Sequence, residues 1–168
     1  AVGLLGEIRE DGRIHTIFTQ TLEYSYDTLA ARLRELSFLN KGITINLTDL
    51  REIDEDGKAK TEVFHSTEGL KEYIRFLDGN RTPIISHVIN MESEKGEIPV
   101  EVALIYNDSY SENIYSYVNN IPTPEGGMHE TGFKTALTRV LNNYGMKNGL
   151  IKGDDKVSGD DCREGLTA

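Results

Sequence analysis

Residues 119–144, NNIPTPEGGMHETGFKTALTRVLNNY, join an irregular loop to a long helix. Two prolines in the first part remove backbone donors and Gly126-Gly127 permits positive φ, so we predict no regular structure there. In the second part, apolar residues recur at spacings of three and four, which places them on one helical face: Phe133, Leu137, Val140, Leu141 and Tyr144. The stretch therefore predicts a loop rich in proline and glycine, followed by an amphipathic helix that ends near Gly145 or Gly149.

Two further helices and a hairpin are predicted upstream of this stretch. Ser25 or Asp27 can cap a first helix that ends at Gly42, with a buried side formed by Tyr26, Leu29, Leu33, Leu36 and Leu39. Strands over 43–47 and 62–65 are expected to pair across a turn at 54–57. Ser66 or Thr67 then opens a second helix, which stops at 78–80 and turns inward Leu70, Tyr73, Ile74 and Leu77.

The remaining elements are strands and a short terminal segment. Residues 84–92 and 98–106 read as strands joined at 94–96, and 113–118 reads as a third strand. Residues 158–161 resemble a capping box in front of a last, short helix that the chain end truncates. This order of elements favours an α+β domain with an antiparallel or mixed sheet and helices packed on one face.

Composition narrows the class of protein. The chain has 168 residues, enough for one domain with a real core, and its formal net charge of −10 argues against a general nucleic-acid surface. No apolar run approaches the ~18 residues that a membrane span requires, so no membrane partner is expected. The single cysteine, Cys162, excludes an internal disulfide and suits a reducing cytoplasm, where we expect the protein to be.

Several patterns resemble ion sites but have simpler interpretations. Residues 52–57 look like the front of a calcium loop, yet a hairpin turn fits better because position twelve is Val63. His129-Glu130 lacks the second histidine of a zinc helix, and the other histidines lie in separate elements: His15, His65 and His87. The acidic residues of 154–161 have no magnesium spacing, and their second pair can cap a helix. We predict no metal site.

Neither an anion site nor a catalytic group is evident. Gly126-Gly127 could bind an anion at the start of the long helix, but the flanking Glu125 and Glu130 would repel it, which favours a tight turn. Cys162 lies among carboxylates that raise a thiol pKa, so it is a poor nucleophile. Basic residues are predicted on the exposed sides of two helices, where a solvated face is the simple interpretation: Lys134 and Arg139, and Arg32 and Arg34.

The stretch at 119–142 resembles the second domain of bacterial type IIA topoisomerase ATPase subunits, of the gyrase B or topoisomerase IV ParE type. That family has N-N-I-x-T-x-E-G-G-x-H before G-F-[KR]-x-A-[LM]-T-R-x-[LI]-N, which this sequence matches from Asn119 to His129 and from Gly132 to Asn142. The runs at 29–42, 82–84 and 159–168 are also similar to the family, in the same order. The resemblance covers residues 16–168, whereas 1–15 form an atypical lead-in that is either an engineered junction or a divergent start.

The resemblance implies a ribosomal protein S5 domain 2-like fold and the role of a transducer domain. It favours the gyrase B type of subunit over the ParE type. The parent would use ATP and Mg²⁺ to pass one DNA duplex through another, together with a gyrase A-type cleavage subunit and a second copy of itself. The family's ATP-contacting lysine loop would follow Thr167-Ala168, so no catalytic or cofactor-binding residue is expected in this chain. Lys134 occupies the family position that faces a DNA cavity, with Arg139 nearby, while Gly126, Gly127 and His129 form a structural loop.

A second function stays open at this point. The atypical lead-in over 1–15 also fits a stand-alone interaction module that kept this fold without an ATPase partner. A gyrase B protein and its topoisomerase IV equivalent cannot be separated by the sequence of this chain.

Overall fold

The computed structural model describes residues 24–94, 98–152 and 155–168. Its elements are α1 (Tyr26–Leu39), β1 (Thr44–Ile53), β2 (Ala59–His65), α2 (Leu70–Asp78), β3 (Ile89–Ser93), β4 (Val100–Tyr106), β5 (Tyr117–Val118), β6 (Ile121–Pro122), α3 (Met128–Lys147), a 3₁₀-helix (Asp161–Arg163) and β7 (Leu166–Thr167). The predicted α+β class is confirmed. The predicted lead-in over 1–15 and most of the predicted 94–96 connection lie outside the described residues.

Within the described residues the strands pair antiparallel in three small groups, where the sequence predicts one sheet. β1 pairs with β2, β5 pairs with β6, and the third sheet has the order β3-β4-β7. The antiparallel arrangement is confirmed. Helix α1 packs on the β1-β2 hairpin and on α2, whereas α2 packs on β4, β3 and β7.

Local signals place the start of α1 and the first hairpin correctly. The predicted end of α1 at Gly42 is wrong, because Asn40 donates from its backbone N–H and its side-chain amide to the Leu36 carbonyl and caps the helix after Leu39. The Ser25 hydroxyl accepts a hydrogen bond from the Thr28 backbone N–H at 3.4 Å, which is the predicted cap. The turn at 54–57 forms because the Asp54 side chain accepts from the N–H groups of Asp56 and Lys58, at 3.0 and 2.7 Å. The predicted hairpin is therefore confirmed, although β1 extends to Ile53. In α1, the predicted stripe is only half-buried, and the buried residues are Ala30 and Ser37.

Helix α2 carries the core of the molecule. It begins at Leu70, later than the predicted Ser66 or Thr67, because the Ser66 hydroxyl accepts from Gly69 N–H at 2.9 Å and holds a turn before the helix. Tyr73 and Ile74 are buried as predicted. A buried apolar cluster joins α2 to β4 and to the residue before β3: Ile74, Val88, Ala103 and Ile105.

The segment between β4 and α3 differs from the prediction. Only residues 117–118 of the expected 113–118 strand pair as a strand, and their partner is β6 in the loop predicted to be irregular. Asn119 and Asn120 have φ of 51° and 63°, and positive φ at both central residues defines the two-residue hairpin turn of type I′. Asparagine tolerates this conformation, so the loop closes as a hairpin. The strand predicted over 84–92 also begins later, at Ile89.

The end of the described chain forms a strand where the sequence predicts a truncated helix. The capping box at 158–161 is present, since Ser158 Oγ accepts from Asp161 N–H at 3.1 Å and Asp161 Oδ2 accepts from Ser158 N–H at 3.2 Å. It encloses only the three-residue 3₁₀-helix. Gly165 then takes φ of +72°, which turns the chain into β7 against β4. The other edge of β7 bonds Asn113 and Tyr115.

Helix α3 has the predicted extent, but its predicted buried face is wrong. Phe133 and Leu137 are half-buried, while Val140 and Tyr144 are 58% and 63% exposed. The buried residues are Asn142 and Gly145. A Cβ on Gly145 would lie 2.5 Å from Ile151, so the chain after the helix packs back on this side. Apolar spacing shows which residues share a face, but it does not show which side the rest of the chain covers. Among the described residues, no helix is long and apolar enough to cross a membrane.

Candidate functional site

The loop before α3 is held by side-chain hydrogen bonds. Ser116, just before β5, and Thr123, just after β6, contact each other through their hydroxyls at 2.7 Å, and the Thr123 N–H donates to the Ser116 carbonyl at 2.8 Å. His129 in the first turn of α3 places Nε2 3.0 Å from Thr123 Oγ1. A Cβ at Gly127 would lie 2.8 Å from the His129 ring, so glycine permits this packing. The structure thus brings His129 together with the hairpin and Gly127, while Gly126 lies against Glu130.

The start of α3 does not provide an anion site. Helix N-termini attract anions through free N–H groups and the helix dipole. Here the Glu130 carboxylate folds back over the helix start, within 3.4 Å of where a Cβ on Gly126 would lie. It also accepts from Ser116 Oγ at 3.0 Å. A phosphate would meet this carboxylate, so these residues do not fit the phosphates of ATP.

Lys134 on α3 lies between two carboxylates. Its Nζ is 2.8 Å from Glu112 Oε1 and 2.9 Å from Glu130 Oε1, and the side chain is 30% exposed. Hydrogen bonds to Glu112 and Glu130 raise the pKa of Lys134. The bond from Lys134 in turn lowers the pKa of Glu130. Lys134 is therefore half-buried rather than freely solvated, because two ion pairs draw it against the protein.

Glu112 links Lys134 to a second cation. Its Oε2 accepts from Arg163 Nε at 2.8 Å, and Arg163 also donates to Asp160 Oδ1 at 2.6 Å. Arg163, in the 3₁₀-helix, is 14% exposed. Burial alone would raise the pKa of Glu112, but hydrogen bonds from Lys134 and Arg163 outweigh it and lower that pKa. The loop after β4, helix α3 and the 3₁₀-helix thus meet in one ion cluster: Glu112, Glu130, Lys134, Asp160 and Arg163. We call this the Glu112 cluster.

Arg139 is not part of the Glu112 cluster. It is exposed, and five residues along a helix turn a side chain about 140° from Lys134. The basic residues of α1 are paired elsewhere, Arg34 with Glu62 at 3.1 Å and Arg32 with Glu35. The structure therefore separates the predicted basic residues and does not form one positive face from them.

The other candidate groups have structural surroundings. Burial raises the pKa of the Cys162 thiol, in line with a poor nucleophile. His65 Nδ1 lies 2.8 Å from the Ile43 carbonyl oxygen, and His87 lies next to Ser86. Within residues 24–94, 98–152 and 155–168, no three His, Cys, Asp or Glu side chains are grouped as a metal site would need. His15 and Asp154 lie outside the described residues.

Sequence reasoning missed a buried polar cluster beside β7. Asp78 Oδ1 accepts from Asn107 Nδ2 at 2.6 Å and from Thr167 Oγ1 at 2.9 Å. Asp78 is 4% exposed, and the other two residues are fully buried. By residue type alone, Asp78 and Asn107 are typical of turns and element ends. No local signal joins them, because the three residues come from α2, the end of β4 and β7.

Comparison with known proteins identifies the family. The family model for DNA gyrase B matches residues 69–168. The DNA gyrase B protein of Cytophaga aurantiaca is 58% identical over 154 residues, which cover 91% of this chain and 32% of that protein. The gyrase B protein of Halalkalibacterium halodurans is 49% identical over 153 residues, which cover 90% of this chain and 23% of that protein. The solved 43K ATPase domain of Thermus thermophilus gyrase B, in complex with an aminocoumarin, has a TM-score of 0.76 and 31% identity, over 92% of this chain and 41% of that one.

These matches define a component of the bacterial gyrase class of DNA topoisomerases. The chain belongs to the DNA gyrase B family. The resemblance seen in the sequence is confirmed. The chain spans about a third of the Cytophaga relative and about a quarter of the Halalkalibacterium relative.

Proposed function

We propose that residues 16–168 are the transducer domain of a gyrase ATPase subunit. In this proposal the domain couples ATP binding and hydrolysis in the parent to DNA strand passage and supercoiling, and residues 1–15 are a lead-in. Its main support is the likeness to the gyrase B ATPase domain, of which this chain covers 41%. Because the family model and the relatives carry the gyrase B name, we propose gyrase rather than topoisomerase IV.

The chemistry and partners belong to the same proposal. ATP and Mg²⁺ would be bound by parts of the parent outside this chain, since the start of α3 does not fit a phosphate. The parent would act in the cytoplasm with a gyrase A-type cleavage subunit, a second copy of itself and a duplex DNA. That this chain has no catalytic or cofactor-binding residue of its own stays a prediction.

Two features of the structure suit a mechanical role. Helix α3 is tied to the loop after β4 and to the 3₁₀-helix through Lys134, Glu112 and Arg163. The 3₁₀-helix leads directly into β7, which is hydrogen-bonded on both edges. A displacement of α3 would therefore carry the sheet with it, as a rigid element of a two-state domain rotation requires.

We propose that Lys134 faces the DNA that passes through the dimer, while Arg139, which points about 140° away from it around α3, lies outside this contact. Lys134 keeps its charge because its two carboxylate partners raise its pKa. One phosphate contact is a small, salt-dependent part of DNA affinity. Loss of Lys134 should therefore reduce the stimulation of ATP hydrolysis by DNA and leave the basal rate nearly unchanged.

The test measures ATP hydrolysis with and without duplex DNA in the full-length protein assembled with its partner. We expect Lys134→Gln to weaken DNA stimulation and Lys134→Glu to weaken it further, since reversal adds repulsion to the lost attraction. Lys147→Gln, a change at an exposed lysine in the last turn of α3, is the matched control and should leave stimulation unchanged. Equal stimulation in all four proteins would refute the assignment of Lys134.

A further inference from the structure

The charge balance of the Glu112 cluster is opposite to that of a phosphate site. Two cations, Lys134 and Arg163, face three carboxylates, on Glu112, Glu130 and Asp160. DNA affinity depends on cations that neutralise phosphates, so the cluster as it stands does not attract the DNA backbone. A DNA phosphate can reach Lys134 only if a carboxylate gives way.

Glu112 is the carboxylate placed to give way. It is the only member of the cluster whose two oxygens contact both cations, Oε1 to Lys134 and Oε2 to Arg163. Without it each cation keeps one partner, Glu130 for Lys134 and Asp160 for Arg163. Glu112 also lies in the loop between β4 and β5, whereas Glu130 is fixed in the first turn of α3.

The surroundings of Glu112 leave space for an exchange of partners. An open surface recess of about 320 Å³ lies beside it, lined by Tyr110, Arg163 and four carboxylates: Glu112, Asp160, Asp161 and Glu164. Tyr110 is 88% exposed, so the loop that carries Glu112 is accessible from solvent on this side. A carboxylate and a phosphate oxygen make the same kind of charge-assisted hydrogen bond to these cations.

We propose that Glu112 competes with DNA phosphate for Lys134 and Arg163, and so sets how strongly the transducer domain holds the passing duplex. This inference depends on the proposed function, in which Lys134 faces the DNA. DNA binds the site by displacing Glu112 from both cations. When the duplex leaves, Glu112 returns and the cluster again repels phosphate. The carboxylate thus keeps the contact weak enough for a duplex that must be released.

The experiment compares Glu112→Gln with the wild type in the full-length protein assembled with its partner, using a linear duplex of mixed sequence. We measure the DNA concentration for half-maximal stimulation of ATP hydrolysis between 50 and 200 mM salt. Each added phosphate contact steepens the log–log salt dependence of DNA affinity by about 0.9, so the rise from 50 to 200 mM salt costs about 3-fold more in affinity for each contact. Glu112→Gln should therefore bind DNA more tightly, and its salt slope should be steeper by the amount that one to two added phosphate contacts give.

Two controls make the result specific. Glu62→Gln removes one negative charge and frees one cation, Arg34, in β2 and α1, which carry no member of the cluster, so it controls for the general change in net charge. In the double variant Glu112→Gln with Lys134→Gln, the gain in DNA affinity and salt slope should shrink by at least the share of one phosphate contact. Glu112→Asp, whose shorter side chain weakens both contacts, should shift affinity in the same direction by less, and it replaces the glutamine variant if that protein does not assemble.

The outcomes separate this inference from the proposed function. If Lys134→Gln alone leaves DNA stimulation unchanged, the proposed function of Lys134 fails and the competition fails with it. If Lys134→Gln weakens stimulation but Glu112→Gln behaves like Glu62→Gln, only the competition is refuted. A tighter, more salt-dependent Glu112→Gln protein whose gain is reduced by the second change supports both.

Discussion

Gly165 offers a strict test of how β7 is held in place. Its φ is +72°, a conformation in which an L residue with a Cβ is strained by about 1–2 kcal/mol. A Cβ there would also lie 2.4 Å from the Asn107 carbonyl oxygen and 2.9 Å from that of Ser109. These are backbone atoms, so neither can rotate away as a side chain can. Gly165→Ala must therefore move the chain that leads into β7.

The loss of stability in Gly165→Ala can be estimated from the hydrogen bond that this movement breaks. The Gly165 carbonyl accepts from the Asn107 N–H at 2.9 Å, and loss of such a bond costs about 0.5–1.5 kcal/mol. Together with the conformational strain, Gly165→Ala should lower the free energy of unfolding by at least about 2 kcal/mol. The melting temperature should fall by about 2–4 °C for each kcal/mol in a protein of this size.

Gly57 supplies the matched control. Its φ is +79°, but nothing lies within 4 Å of where its Cβ would be. Gly57→Ala therefore introduces the conformational strain without the backbone clash. We expect urea denaturation to show Gly57→Ala destabilised by about 1–2 kcal/mol and Gly165→Ala by clearly more. If the two variants unfold at the same urea concentration, the close approach of Gly165 to Asn107 is refuted.

Two further predictions concern the core and an ion pair. Leu166 is fully buried, so Leu166→Ala should lower the free energy of unfolding by about 2–5 kcal/mol. Val140 is exposed, so Val140→Ala should change it by less than about 0.5 kcal/mol. Equal urea midpoints for the two variants would contradict this contrast. Hydrogen bonds from Arg51 lower the pKa of Asp49 to about 2 from an ordinary value of 3.8. Because the folded-state pKa is depressed, the stability from this pair is present above pH 3.8 and lost as the pH falls to 2. Asp49→Asn should thus be less stable than the wild type at pH 6 and nearly equal to it at pH 2 in urea titrations, and a gap that does not change with pH would exclude this role.

Local interactions account for the parts that the sequence predicted well. The Ser25 cap, the Asp54 turn and the extent of α3 each depend on residues within a few positions of one another. The Glu130–Lys134 pair is also readable, since residues four apart are neighbours on a helix. The residues and spacing of the motif at 119–142 were also sufficient to identify the family.

The parts that the sequence missed depend on distant residues. Glu112 and Arg163 are 51 positions apart, so nothing local joins them into one cluster with Lys134. The predicted buried face of α3 is wrong because hydrophobic spacing shows which residues share one side of a helix, but not which side the rest of the chain covers. β7 was missed because two paired residues are too short for a strand pattern.

The Asp78–Asn107–Thr167 cluster has a consequence for how the protein is made. Asp78 and Thr167 are 89 positions apart, and Asn107 and Thr167 are 60 apart. A ribosome adds about 5–20 residues per second, so α2 and β4 emerge seconds before the strand that completes their polar contacts. During that interval a carboxylate and an amide destined for the interior must stay hydrated, which favours an open sheet. Closure of the β3-β4-β7 sheet therefore waits until residues 166–167 have been made, and a pause in translation before residue 166 would prolong the exposure of its apolar face to chaperones and proteases.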